Sequence, residues 1–148
     1  MSEISFYHLL STPLERALPR LLEEALAKRE RALVKAPSPE RVEELDRALW
    51  TYGEASFLPH GSAREGNPQE QPIWLTAEDE NPNGATLLIV VDGGECGALS
   101  SFARAIDLFD GNDAAAVESA RALWRRARAE GHALSYWQET ASGWQKKP

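Results

Sequence analysis

Cysteine is nearly absent: the chain of 148 residues holds one, Cys96. A single thiol excludes an internal disulfide, and without a second cysteine nearby it excludes a zinc knuckle. Long apolar runs are missing too. No stretch approaches the roughly 20 residues that span a bilayer. The start "MSEISFYHLL" has neither a basic leader nor a long apolar segment, so no signal peptide and a cytoplasmic location are expected. Positive charge is in deficit, with 16 Lys and Arg against 23 Asp and Glu, a net charge of −7. Neutralising phosphates needs clustered Lys and Arg, so this chain is a poor general binder of nucleic acid. Any useful basic feature must be local.

Signatures of chemistry are also missing. There is no G-x-x-x-x-G-K-[ST] and no G-x-G-x-x-G after the first strand, where "STPLER" stands instead. "VDGGECG" has three glycines, but its Asp92 and Glu95 would repel a phosphate. His8, His60 and His132 share no metal spacing. No G-x-S-x-G elbow occurs. The acidic run Glu78 to Glu80 reads as solvated, with a divalent cation as the alternative. Nothing argues for catalysis, and no cofactor is expected.

What is present is an alternation of strands and helices. "EISFYHL", "RALVKA", "PIWLT", "TLLIVVDG", Ala105 to Phe109 and "ALSYWQE" read as strands. The fourth is apolar at nearly every position, which suggests burial on both faces. The first helix, near "STPLERALPRLLEEALAK", has Thr12 as cap, Pro13 at its first position and Glu15 completing a capping box, with Pro19 as a blemish. The second has Ser38 as cap and Pro39 at its first position. The last starts near Asn112 and stops at Gly131. This order predicts an α/β fold, a single domain over 1–148 with layered helices and a mostly parallel central sheet. The end, about 141–148, reads as a short flexible basic tail.

Two places stand out. "ALWTYGEASFLPHG", Ala48 to Gly61, puts Trp50, Tyr52, Phe57 and Leu58 in a turn-rich segment. They either fold inward over the sheet edge or wait for a partner. On the last helix a 100° step groups Ala116, Ala120, Leu123 and Ala127 as the core face and Arg121, Arg125 and Arg128 as a basic stripe. Val117 and Trp124 fall at the boundary. Guanidinium groups pair with carboxylates in bidentate fashion, and an indole edge receives a ring. That combination suits an acidic peptide with an aromatic end; the plainer alternative is a solvated arginine face.

"FYHL", "LDRALWTYGEASFLPHG" and the span from "DLF" to "ARALWRRARAEGH" together resemble the chi subunit of bacterial DNA polymerase III. The resemblance implies a Rossmann-like fold without nucleotide binding and a non-catalytic accessory subunit of the replicase. It implies two partners: the psi subunit, which tethers chi to the clamp loader, and the acidic, Phe-ended C-terminal tail of single-stranded-DNA-binding protein. Nucleic acid would be met only indirectly. Carried over by position, psi binding falls on Trp50 and Phe57, and tail binding on Phe109, Arg121, Trp124 and Arg125. Trp124 stands where Tyr is usual and Arg125 where Lys is usual. The loop Glu78 to Gly84 and the C-terminal "SGWQKK" have no counterpart in that resemblance. Two other readings remain open: a nucleotide-binding protein or enzyme on a Rossmann-like sheet, and a direct single-strand binder using stacked tryptophans.

Overall fold

The computed structural model describes residues 2–51, 60–62, 66–94 and 97–147. In chain order the elements are β1 (Glu3–Leu9), α1 (Leu14–Ala27), β2 (Ala32–Lys35), α2 (Pro39–Trp50), β3 (Gly61–Ser62), β4 (Ile73–Thr76), β5 (Leu87–Val91), β6 (Arg104–Asp110), α3 (Ala114–Ala129), β7 (Ala133–Thr140) and β8 (Gly143–Lys147). The strands form one sheet in the order β3-β4-β2-β5-β6-β1-β7-β8. Every pairing is parallel except β7 with β8. The fold is therefore α/β with a mostly parallel sheet, as the alternation predicted.

The strand order decides where the helices go. Parallel crossovers are right-handed. The chain moves one way along the sheet from β1 to β2 and on to β4, and the opposite way from β6 to β7. Helices α1 and α2 therefore cover one face and α3 the other. The core divides accordingly. Leu18, Leu22, Leu45 and Leu49 pack with Val34, Ile89 and Leu108 on the first face. Ala116, Ala120 and Ala127 pack with Phe6, Leu88 and Phe109 on the second. β5 is buried along its whole length, because both helical layers close over it.

Local signals set some boundaries and not others. Ser38 caps α2, its hydroxyl accepting from the Arg41 N–H, and Pro39 follows at the first helical position. Gly131, at φ 81°, terminates α3 in the left-handed region. The expected capping box on α1 does not form. Pro13 is itself the cap residue, and among the described residues no side chain caps that helix. Glu15 instead pairs with Arg41 at 2.6 Å, and the Thr12 hydroxyl donates to Glu139. Pro19 lies buried inside α1. The cap of α3 is Asp113, one residue past Asn112, its carboxylate accepting from the Ala115 and Ala116 N–H groups at 3.0 and 3.4 Å. Two strands are additional to the expected set. β3 pairs with β4 at one edge. β8 replaces the flexible tail, because Gly143 turns the chain back at φ 131° and the residues after it pair antiparallel with β7.

Candidate functional site

Helix α3 carries the basic stripe where the wheel placed it. Ala116, Ala120 and Ala127 face the sheet. Alanine at these positions removes side-chain bulk, so the helix sits close and its larger flanking residues reach past it. Val117, Leu123 and Trp124 pack partly buried against the core beneath. Arg121 and Arg125 point outward, their side chains 68% and 67% exposed. Arg128 is exposed as well. Each of the first two lies 3.8 Å from the same carboxylate, that of Glu118. At this distance and exposure the pairs are weak, and one carboxylate cannot occupy ten N–H donors of two guanidiniums. The stripe keeps donors for an incoming anion.

Beneath the stripe is an aromatic floor. The Trp124 ring lies 5.2 Å from Phe6 and meets Tyr136 edge-on at 6.2 Å. The Tyr136 hydroxyl hydrogen-bonds to His8 Nδ1. His8 packs 5.0 Å from Phe109. A side chain at Gly111 would collide with the His8 ring, 1.9 Å from where a Cβ would stand; only glycine allows that ring its place. Burial lowers the His8 pKa against an opposing effect of Asp110, which favours the neutral imidazole. Burial raises the Tyr136 pKa, with Arg121 pulling it down and Asp107 pushing it up. Arg121 is thus electrostatically coupled to this floor.

Phe109 does not stand among the exposed residues. It is 1% exposed, because alternation along β6 turns Ala105, Asp107 and Phe109 toward the α3 side. It supports His8 and Tyr136 from below. The structure brings Arg121, Trp124 and Arg125 together at the surface and sets Phe109 under them. Sequence reasoning missed His8, Tyr136 and Glu118. Glu118 was legible, three residues before Arg121 and seven before Arg125 on one helix face. His8 and Tyr136 were not, since they meet only through the parallel pairing of β1 with β7.

Asp107 is a further feature of this layer. It is 2% exposed, and its Oδ1 has no hydrogen-bond partner among the described residues. Burial raises its pKa to about 7.

Trp50 ends α2 on the opposite face of the sheet and is 51% exposed. Its ring lies 4.6 Å from that of His60. His60 is wholly buried and holds Nε2 3.0 Å from Asp46 Oδ1. A buried His–Asp pair thus supports one side of the exposed indole. Phe57, Tyr52 and Leu58 lie outside the described residues; Trp50, at the start of that stretch, does not fold inward.

The turns that a nucleotide would need are filled from within. In a doubly wound sheet the amides after β1 are the natural place for phosphate. Here Glu139 from β7 occupies them. Its Oε1 accepts from the N–H groups of Leu10, Ser11 and Thr12 at 2.9, 2.8 and 3.0 Å. Its carboxyl pKa falls to about 2: burial, the largest effect, raises it, and the Thr12 side chain with the three N–H groups more than offsets that. The "VDGG" turn is closed as well. Asp92 sits at φ 52° and its carboxylate pairs with Arg41. Glu95 and Cys96 lie outside the described residues. The three histidines have separate partners: His132 Nδ1 accepts from the Ser2 N–H at 3.0 Å. No group that could hold a metal ion occurs among the described residues. The Glu78 to Gly84 loop is structural in part: Asn81 exchanges two hydrogen bonds with Ala85, and buried Asn83 donates to the carbonyls of Ala32 and Gln71. Among the described residues no helix is long and apolar enough to cross a membrane.

Residues 1–135 match the family model described as DNA polymerase III chi subunit, HolC. The chain is also 33% identical over 91 residues to a "Probable DNA polymerase III subunit chi" from Rickettsia prowazekii (strain Madrid E). That alignment covers 62% of this chain and 55% of the relative, so the chain spans about half the length of the curated protein it matches.

Proposed function

The chain belongs to the DNA polymerase III chi subunit family, and on that premise we propose that it is a non-catalytic accessory subunit of a bacterial replicase that works by tethering. Its α3 face grips the acidic, Phe-ended C-terminal tail of single-stranded-DNA-binding protein. Its Trp50 surface docks psi or another clamp-loader component. Many weak tail contacts along coated DNA raise the local concentration of the replicase.

One observation carries this reading. Arg121 and Arg125 are about two-thirds exposed beside a partly buried Trp124, on a chain whose net charge is −7. The guanidiniums supply bidentate donors for tail carboxylates, and the indole edge with Val117 supplies apolar surface for the terminal ring. The filled amide nest at Leu10 to Thr12 argues against the nucleotide alternative, because a phosphate would first have to displace Glu139. For Trp50, the support is an exposed indole propped by a buried pair; indoles are common anchors of interfaces.

Calorimetry with an acidic, Phe-ended peptide tests the α3 site. Arg121→Ala and Arg125→Ala each weaken binding by about tenfold to 150-fold, the range for losing a charge-assisted hydrogen bond, while the melting temperature stays near that of the parent. Unchanged affinity in both variants removes the site.

A further inference from the structure

Among the described residues, the α1 face of the sheet is not fully covered. Helix α1 packs over β6, with Leu9 and Tyr7 of β1 beside it, and β7 and β8 run on beyond it. Strand alternation turns Tyr7, Trp137 and Trp144 to this side, and register aligns them: Tyr7 stands opposite Trp137, and Glu139 opposite Trp144. Tyr7 and Trp137 lie nearly parallel at 6.4 Å, and Trp144 meets Tyr7 edge-on at 5.0 Å. Between these rings and α1 opens a groove of about 700 Å³.

Carboxylates outnumber cations along its lining. Glu23 and Glu24 from α1 and Glu139 from β7 line it, against Arg20. The three hydrogen bonds from amides keep Glu139 ionised but do not remove its negative field. Glu24 has no ion pair among the described residues. The floor already receives one cation: Lys146 holds its ammonium 5.8 Å from the centre of the Trp137 ring. Aromatic faces and carboxylates together select cations that also carry alkyl surface. Trp144 is 41% exposed, so its ring is available to a visitor. Both tryptophans lie past residue 135, where the family match stops.

We propose that this groove docks a partner protein segment in which arginine or lysine alternates with apolar residues. The cationic head lies against the Trp144 ring and the Glu24 carboxylate, and the apolar neighbours fill the space over Tyr7 and Trp137. This surface is separate from the basic stripe, which lies on the other face of the sheet and selects the opposite charge.

The test uses the full chain and calorimetry at low salt with an acetylated, amidated octapeptide of alternating arginine and leucine. The expected result is saturable one-to-one binding, weakened about tenfold or more by Trp144→Ala and by Glu24→Lys. Glu24 is an exposed helix residue, so its variant stays folded even if the Trp144 variant does not. Glu40→Lys makes the same charge change on α2 and leaves the affinity as it was. Equal binding of a glutamate–leucine octapeptide, or unchanged affinity in both groove variants, overturns the proposal. So does spermine binding as tightly as the peptide, which makes this a site for a small polyamine. Sedimentation showing a dimer that Trp144→Ala dissociates also overturns it, since a second copy would then be the occupant.

Discussion

Glu118 holds a position that a ligand carboxylate would take. It lies 3.8 Å from both Arg121 and Arg125 and is itself 65% exposed. An acidic peptide must compete with it for the same guanidiniums. Exposed pairs of this kind contribute about 0.2–1 kcal/mol each. Glu118→Gln should therefore tighten peptide binding by about twofold to fivefold, read by the same titration; weaker binding would mean that Glu118 orients the arginines for the ligand. Asp107 makes a second point at this scale. Its pKa rises from 3.8 to about 7 by burial, so the folded chain holds a proton there that the unfolded chain has released. The contribution of this group to stability then falls as pH rises from about 4 to 7 and levels off above. Thermal melts should show Asp107→Asn removing that slope and gaining on the parent at pH 8. A pH slope left unchanged by Asp107→Asn would contradict the assignment.

At the scale of elements, Glu139 joins the end of β7 to the turn that enters α1. Among the described residues no side chain caps α1; the carboxylate from a distant strand takes the amides just before it instead. Its pKa is lowered from 4.5 to about 2. A depressed carboxyl stabilises the fold above its unfolded pKa, and that contribution disappears as pH falls through 4.5 toward 2. Glu139→Gln should lower the melting temperature at pH 7 by about 2–4 °C, the effect of losing about 1 kcal/mol in a chain of this length, and the gap should close near pH 2. The same contact explains what could be read in advance. Ser38 and Pro39 start α2 as the sequence implies, because their partner is three residues away. Thr12 and Glu15 carry an equally good local pattern and fail it, because Glu139 and Arg41 offer stronger, charged partners from elsewhere in the chain. The arginine stripe was legible because its period is helical. The floor of His8, Tyr136 and buried Phe109 was not, because a parallel sheet assembles it from three separated strands. β8 escaped notice since a glycine, a glutamine and two lysines mask a strand that pairs along one edge alone.

For the whole molecule, the separation of faces is what matters. α3 and its arginines lie on one side of the sheet. Trp50 and the Tyr7–Trp137–Trp144 groove lie on the other, at different edges: β4 neighbours β3, and β7 neighbours β8. A scaffold with a buried parallel centre keeps such surfaces apart and rigid, so one molecule could hold two or three partners without their competing. The proposed binding at the arginine stripe would be electrostatic and exposed, so it should weaken as salt rises and the screening length shrinks to about 8 Å near 0.15 M. The proposed docking at Trp50 would be apolar and should change little over the same range. The five tryptophans allow these surfaces to be followed in one sample, because each indole N–H gives its own resonance. The most direct measurement is a titration of the labelled protein with the acidic, Phe-ended peptide, followed at those five signals. The account predicts that the Trp124 resonance moves and saturates while those of Trp50, Trp137 and Trp144 hold still. A titration in which Trp124 stays in place while Trp50 or Trp144 shifts, or in which none moves, would contradict it.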